Sequence, residues 1–191
     1  MKKTKIIVII LACILLICGV FFVFMQEDEQ SETELTEIQK IITKDLENDY
    51  PKTPREVIKL YNRIVKCYYG TELENKELKD LCLQMRKLLD EELLLLEANS
   101  EENYYNSVLT EVAYYKQNEM YIVEANVCAS NEVKFITDKE KNQNLAEVAV
   151  SYFIKTGKKD FLKTYQDFVL REDEDGKWKI LHWQEGEAWD E

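Results

Sequence analysis

The chain has 191 residues, 25 Lys and Arg against 37 Asp and Glu, one histidine and five glycines, and its net charge is −12. The glycines are too widely spaced for a phosphate-binding motif, and the five cysteines contain no C-x-x-C pair. A single histidine excludes a multi-histidine metal site, and so acidic a chain is a poor partner for nucleic acid. We therefore expect no metal, no other cofactor and no nucleic acid as its ligand.

The N-terminal segment predicts a membrane anchor. Ile6–Met25 contains no charged residue, and it follows three lysines within residues 1–5. A helix of that length spans about 30 Å, the thickness of the hydrocarbon core of a bilayer. Because basic flanks stay in the cytoplasm, we predict a single-pass protein of the cell membrane. Residues 1–5 would be its cytoplasmic tail, residues 6–25 its transmembrane helix, and the main domain would be extracytoplasmic.

Two alternative interpretations fit this segment less well. A cleaved signal peptide has a shorter apolar core and a small-x-small cleavage site, which the residues around Met25 do not offer. A lipoprotein would carry its lipid on Cys13 or Cys18. Only seven apolar residues precede Cys13, however, and the bulky Ile17 directly precedes Cys18. Length and flanks therefore favour an uncleaved anchor.

The remaining residues predict an acidic linker followed by one folded domain. Residues 26–50 hold an acidic run and a stalk helix, which begins at the capping box Ser31–Glu34 and ends near Glu47. Residues 51–185 are long enough to bury an ordinary core. Residues 186–191 read as an acidic, solvated tail. Without the three lysines of the tail, the part after the anchor carries a charge of −15, which keeps such a surface soluble.

Two amphipathic helices are predicted after the linker. Thr53-Pro54-Arg55-Glu56 has a capping Thr, a Pro at the first helical position and a Glu at the third, which is a strong helix start. Gly70 is a candidate left-handed stop. Asn75 is the predicted cap of the next helix, whose apolar residues recur every three or four positions. The run Leu93–Leu96 near its end predicts burial on several sides.

Three cysteines follow the anchor, at positions 67, 82 and 128. They cannot all pair with one another, and their spacing fits no metal motif. Cys67 and Cys82 lie on the apolar faces of the predicted helices, so we expect buried thiols. A Cys67–Cys82 disulfide between the helices is the alternative.

Beyond Asn103 the period of the apolar residues changes to two, which is typical of strands. Asp173-Glu174-Asp175-Gly176 is a hairpin signal, and residues 133–143 read as a long connection. Helices that precede an antiparallel sheet predict an α+β domain, with the helices packed on a curved sheet. The predicted strands are Ser107–Lys116, Met120–Ser130, Ala146–Thr156, Asp160–Glu172 and Lys177–Glu185.

Two segments carry a resemblance to known families. N-terminal helices followed by long strands that end in Gly176–Trp183 (GKWKILHW) resemble the nuclear transport factor 2-like superfamily. This resemblance implies a cone in which a bent sheet wraps its helices around a pocket. The segment Asp45–Asn62 (DLENDYPKTPREVIKLYN) also resembles a family of short, membrane-anchored proteins of unknown function from Firmicutes bacteria. The superfamily contains enzymes, adaptors and secretion-channel subunits, so its fold does not fix a function.

Three functions are compatible with this resemblance and with the anchor. The first is a non-catalytic, membrane-anchored accessory or interaction domain outside the cell, with an envelope protein as its partner. The second is an assembly subunit of a type IV secretion-like envelope machine, whose inner-membrane subunits share this topology. The third is a small-molecule binder, or an isomerase-like or cyclase-like enzyme, with its pocket in the cone. Sheet faces of the superfamily often pair, which implies a homodimer.

Candidate pocket residues are aromatic side chains and the single histidine. Tyrosine has an apolar body and a polar tip, which suits both ligand contact and a half-buried sheet. A catalytic histidine would have to titrate near neutral pH inside the pocket. His182 shares a strand face with Trp178 and Ile180, so we expect it to point into the cone. No complete catalytic set is evident, so we predict no catalytic residue. The pocket candidates are Tyr61, Tyr68, Tyr152, Trp178 and His182.

Overall fold

Helices precede strands along the part of the chain that the computed structural model describes, which comprises residues 35–70, 72–158 and 160–189. These helices are α1 (Glu37–Ile42), α2 (Pro54–Gly70), α3 (Asn75–Arg86), α4 (Glu91–Leu94) and α5 (Glu101–Gln117), with a 3₁₀ turn at Glu97–Asn99. The strands are β1 (Tyr121–Val127), β2 (Lys134–Asp138), β3 (Gln143–Thr156), β4 (Asp160–Glu172) and β5 (Trp178–Glu185). The predicted α+β class, with helices on an antiparallel sheet, is confirmed.

The predictions for the N-terminus lie outside the described residues. They concern the tail at residues 1–5, the anchor at residues 6–25 with Cys13 and Cys18, and the capping box Ser31–Glu34. Within the described ranges, no helix combines the length and the apolar character needed to cross a membrane. The anchor therefore stays a prediction.

The helix α1 starts later and ends earlier than the predicted stalk helix. The Thr36 hydroxyl accepts the backbone N–H of Gln39 (3.2 Å), and the Gln39 side chain accepts the backbone N–H of Thr36 (2.9 Å), which is a reciprocal capping box. The predicted end near Glu47 is wrong, since the helix ends at Ile42. The Asp45 carboxylate accepts the backbone N–H of Glu47 (3.0 Å), and this local bond stabilises a turn in place of a longer helix.

The start of α2 confirms the predicted signal. The Thr53 hydroxyl accepts the backbone N–H of Glu56 (3.2 Å), and the Glu56 carboxylate accepts the backbone N–H of Thr53 (3.1 Å). Pro54 is the first residue of the helix, where its missing N–H costs nothing. The helix ends at Gly70 as predicted, although Gly70 does not adopt the positive φ of a left-handed stop.

The segment Ser107–Lys116 is part of α5, so the prediction of a strand there is wrong. The Ser100 hydroxyl accepts the backbone N–H of Asn103 (3.4 Å) and caps the helix. Two glutamates in the first turn stabilise the helix, because their negative charges lie near the positive end of its dipole. The inward-facing residues are spaced by three and four, as on one face of a helix; they are Tyr104, Val108, Val112 and Tyr115.

The leucine run after α3 is less buried than predicted. The side chains of Leu95 and Leu96 are 76% and 53% exposed, and Leu93 and Leu94 are half-buried. The helix α4 contains four residues only and is followed by the 3₁₀ turn, where the Asn99 amide donates to the carbonyl of Leu93 (2.9 Å). Because no long helix continues through the run, its leucines have no common core-facing side.

The sheet is antiparallel, with the strand order β1-β3-β4-β5. The strand β2 pairs with the first half of β3, and β1 pairs with its second half. A long hairpin joins β3 to β4, and a tight turn joins β4 to β5, where Gly176 has φ +73 as the predicted hairpin requires. The strand β2 lies inside residues 133–143, so the prediction of a connection there is wrong. Register shifts in β1 and β5 mark bulges, which bend the sheet.

The core lies between one face of the sheet and the helices. Leu88 is joined to the sheet edge by backbone bonds, since the N–H of Ile180 donates to its carbonyl (2.8 Å) and the N–H of Asp90 donates to the carbonyl of Ile180 (2.8 Å). The fully buried side chains include Val57, Ile58, Ile64, Leu81, Met85, Val148, Val150, Phe168 and Leu170.

The cysteines of the folded part are free, buried thiols, as predicted, and Cys67 and Cys82 form no disulfide.

The beginning of the predicted tail is attached to the domain. Gly186 donates its N–H to the carbonyl of Tyr165 (3.0 Å), and Trp189 packs against the core. Asp190 and Glu191, the rest of the predicted tail, lie outside the described residues.

Candidate functional site

A cleft of about 1020 Å³ lies between the helices α2 and α5 and the helix-facing side of the sheet. Its floor comes from β3, β4 and β5, and its far end reaches Met85 of α3 and Leu89. Aromatic side chains dominate its walls. The tyrosines that line it are Tyr61, Tyr68, Tyr69, Tyr104, Tyr114, Tyr115, Tyr152 and Tyr165.

The spacing of residues on the two helices explains why these side chains converge. On α2, Tyr61, Val65 and Tyr68 are four and three residues apart, so they project from one side of the helix. On α5, Ser107 and Glu111 repeat the same spacing and face the same cleft. Two helices that each bring one side to a common space, without filling it, leave a cleft above the sheet.

Ring packing fixes the geometry of the walls. Tyr69 of α2 and Tyr115 of α5 are stacked, with ring centroids 3.9 Å apart and planes 15° apart. The ring of Tyr61 packs edge-on against Phe168 of β4, with ring centroids 5.0 Å apart. Its centroid lies 6.4 Å from that of Trp183 of β5. Because aromatic pairs of this kind resist rotation of either ring, the walls are held in place before any ligand arrives.

Hydrogen bonds orient two of the tyrosine hydroxyls. Tyr152 donates to Asn62 Oδ1 (2.7 Å), and Tyr69 donates to Glu111 Oε2 (2.5 Å). The hydroxyl of Tyr68 is buried and makes no hydrogen bond of normal geometry, although Tyr104 and Cys82 are its neighbours. The hydroxyl is thus enclosed between the side chains of Tyr104 and Cys82, and Tyr68 presents its ring to the cleft.

Burial raises the pKa of the cleft tyrosines above the ordinary value of 10. Loss of hydration is the main cause for each of them, with smaller contributions from neighbouring acidic groups such as Glu111. These hydroxyls are therefore protonated at neutral pH and act as neutral donors. The residues affected are Tyr61, Tyr68, Tyr69, Tyr104, Tyr115 and Tyr152.

Three of the predicted pocket residues line the cleft and two do not. Tyr61, Tyr68 and Tyr152 lie in its wall. Trp178 packs instead against Phe135 of β2 at 5.8 Å. His182 is exposed on the opposite face of the sheet, paired with Val169. The placement of the three tyrosines agrees with the predicted pocket, while their role in binding stays a prediction.

A bulge explains the position of His182. In the β4–β5 pair, Leu170 lies opposite Ile180 and Val169 lies opposite His182, so Leu181 has no partner of its own. The extra residue exchanges the two faces of the strand beyond it. Trp183 therefore turns toward the helices and contacts Phe168 with ring centroids 6.2 Å apart, whereas His182 turns away from them.

Several cleft residues were not among the predicted pocket candidates. Tyr104, Glu111 and Tyr115 belong to α5, where the sequence predicted a strand over much of the segment. The helical spacing from Tyr104 to Tyr115, together with Ser100 as a cap, is the signal that would have revealed them. Trp183 depends on the bulge, for which the sequence carries no comparable signal.

One comparison with known proteins identifies a family. The family model described as Domain of unknown function (DUF6715) matches residues 1–183, which is most of the chain. The match includes the apolar N-terminal segment and nearly all of the cleft. No curated protein matches the chain. Among the described residues, no group of three side chains capable of holding a metal ion comes together.

Proposed function

Because the chain belongs to the DUF6715 family, whose function is unknown, its role is inferred from the cleft, and we propose that it is a binding domain without catalytic activity. The observation that carries this proposal is a cleft of about 1020 Å³ lined by eight tyrosines. In this proposal, residues 6–25 hold the domain at the outer face of the cell membrane, where it binds its ligand as an accessory component of the envelope.

The size and lining of the cleft support binding. Pockets that enclose small ligands usually measure about 300–1,000 Å³ and combine apolar walls with a few oriented polar groups. Here the rings of Tyr69 and Tyr115 supply rigid apolar area, and the Glu111 carboxylate, which accepts a hydrogen bond from the Tyr69 hydroxyl (2.5 Å), supplies an oriented polar group. Tyrosine contributes a large contact area and loses little side-chain entropy on binding, which suits a preformed site.

The chemistry of the lining favours binding without a reaction. General acid–base catalysis needs a group that titrates near the working pH and reaches the ligand. The histidine of the chain lies on the other face of the sheet, and burial keeps the tyrosine hydroxyls protonated. Glu111 already accepts a hydrogen bond from the Tyr69 hydroxyl (2.5 Å). These features support a role in holding a ligand.

The order of elements also supports the nuclear transport factor 2-like cone as the finer description of the fold. Helices precede a bent antiparallel sheet, and the cleft lies where a cone would hold its pocket.

The proposed location outside the membrane can be tested with protease. Protease added to intact cells is expected to digest the folded domain, because we place it outside the membrane. Survival of the domain until the cells are opened would contradict this location.

The binding proposal is tested with a library of small fragments and two matched variants. Full-length protein in dodecyl maltoside, a neutral detergent, would be screened by nuclear magnetic resonance, with tryptophan fluorescence, to which Trp183 of the cleft contributes, as a second readout. Ser107→Trp places an indole into the cleft from an exposed helical position, whereas Asn106→Trp places it on the neighbouring position outside the cleft. We expect fragments to bind the unaltered chain, with a change in its tryptophan fluorescence, and to bind Asn106→Trp but not Ser107→Trp in the nuclear magnetic resonance screen. Fragments that bind both variants equally, or no binding at all, would refute the proposal.

A further inference from the structure

We infer that the ligand of this cleft carries a positive charge, in the form of an ammonium group, primary or quaternary, on an apolar body. The inference rests on the proposed function, since it names the class of small molecule that the cleft would bind. Its starting point is the charge of the lining. The charged side chains among the cleft residues are Glu111 and Glu185, and no lysine, arginine or histidine is among them.

The absence of basic side chains from the lining is notable because the chain has 25 Lys and Arg. Elsewhere on the domain, lysine amines lie over tyrosine rings, as Lys179 does over Tyr50 at 4.3 Å and Lys155 over Tyr121 at 5.3 Å. Among the described residues, no such lysine covers a tyrosine of α2 or α5. Within the cleft lining, Lys163 lies over the ring of Tyr165 on the sheet side, 5.4 Å from its centroid. The rings of the two helices are therefore the ones that remain available to a cation from solution.

One end of the cleft combines aromatic rings with a carboxylate. Tyr114 and Tyr115 lie three and four residues after Glu111, so the carboxylate and the two rings project from the same side of α5. Tyr69 stacks on Tyr115 (3.9 Å) and donates its hydroxyl hydrogen to Glu111 (2.5 Å). This bond occupies one acceptor position of the carboxylate. Its remaining lone pairs can accept hydrogen bonds from a primary ammonium group, and its negative charge attracts a quaternary one.

The sheet side of the cleft repeats the same combination. Glu185 and Trp183 both line the cleft from β5, two residues apart, and Trp183 lies 6.4 Å from Tyr61. Tryptophan binds cations more strongly through its ring face than tyrosine does. An anionic ligand would meet two carboxylates and no basic group here, whereas an ammonium ligand would meet complementary charge from both walls. The charge of −15 on the part of the chain after residue 25 also draws cations toward the domain.

Three probes of similar size and different charge test the inference. They are 4-phenylbutyltrimethylammonium, the neutral 4-phenylbutan-1-ol and the anionic 5-phenylpentanoate, each titrated against the full chain in dodecyl maltoside with tryptophan fluorescence as the signal. We expect the cation to bind about ten-fold more tightly than the alcohol, and the anion to bind more weakly than either. Added salt should weaken binding of the cation and leave the alcohol unchanged.

Matched charge variants locate the effect. Glu111→Gln removes a charge from the cleft at constant size, and we expect the affinity for the cation to fall about five-fold while that for the alcohol stays the same. Glu102→Gln removes an exposed charge from the same helix outside the cleft and should change neither affinity. Equal losses in both variants would refute a local cation site.

The outcomes separate this inference from the proposed function. If the alcohol or the anion binds as tightly as the cation, and Ser107→Trp still abolishes binding, the cleft is a binding site but not one for cations. If no probe binds and the fragment screen also finds nothing that Ser107→Trp removes, both the inference and the proposed function are wrong.

Discussion

Replacing Arg171 by Met is expected to destabilise the domain strongly, because it leaves a buried carboxylate without its partner. Arg171 of β4 donates Nε to the carboxylate of Asp90 (3.0 Å), donates Nη2 to the same carboxylate, and donates Nη1 to Glu92 (2.6 Å). Asp90 is only 3% exposed. It also accepts the backbone N–H of Glu92 (2.9 Å) and so caps α4. The pair thus ties the segment after α3 to the sheet.

The size of the effect follows from the two partners. Removing one member of a buried ion pair costs about 3–5 kcal/mol, since the remaining charge stays desolvated. The cap bond at Asp90 remains and compensates in part, so we expect a value near the lower end, about 3 kcal/mol. The side chain of Glu92 is 66% exposed, so loss of its ion pair with Arg171 adds little to the destabilisation. For a domain of this size, about 3 kcal/mol corresponds to a fall in Tm of roughly 9 °C.

Urea and thermal unfolding of the full chain, followed by circular dichroism, would measure the change. The double variant Asp90→Asn/Arg171→Met removes the stranded charge and keeps a capping side chain, so it should recover at least half of the loss. As a control, Arg63→Met breaks an exposed pair with Glu37 (2.6 Å) and should cost less than about 0.5 kcal/mol. A loss below about 1 kcal/mol for Arg171→Met, or no recovery in the double variant, would refute this account.

Three further predictions address burial, the bulge and the thiols. Leu88→Ala should cost about 2–5 kcal/mol in urea unfolding because Leu88 is fully buried, whereas Leu95→Ala at 76% exposure should change stability by less than about 0.5 kcal/mol. Trp183→Leu should weaken fragment binding in the cleft and His182→Gln should not, as titrations read out by nuclear magnetic resonance would show. Burial raises the pKa of the thiols of Cys67, Cys82 and Cys128 and blocks access to them. Their reaction with iodoacetamide, followed by mass spectrometry, should therefore be at least about 100-fold slower in the folded protein than in urea-unfolded protein.

The elements that could be predicted from the sequence are those whose signals are local. Thr53 and Glu56 form their reciprocal bonds within one helical turn, and Gly176 supplies the positive φ of the β4–β5 turn by itself. Such signals need no knowledge of the rest of the fold. For the same reason α2, with Tyr61 and Tyr68, could be assigned to the cleft in advance.

The strand β2 and the helix α5 could not be predicted in this way. No residue of β2 is buried, so it lacks the alternation of buried and exposed residues that identifies a strand. It forms because residues 143–147 of β3 offer a free edge, which is a tertiary cause. In α5, the β-branched and aromatic residues suggest a strand, but the cap at Ser100 and packing of Tyr104 and Val108 on the core outweigh that propensity.

The part of the cleft that β5 builds depends on the bulge at Leu181, which pairs with no residue of β4. In a regular strand His182 would share the face of Trp178 and Ile180, and it would point toward the helices as the sequence predicted. Alternation along a strand has a period of two, so the single extra residue at Leu181 reverses the face of every later side chain. Trp183 therefore lines the cleft beside Tyr61, and the imidazole of His182 lies on the other face of the sheet. A site built with the opposite register would hold a histidine among tyrosines, which suits proton transfer, whereas the observed register holds an indole, which suits a bound cation.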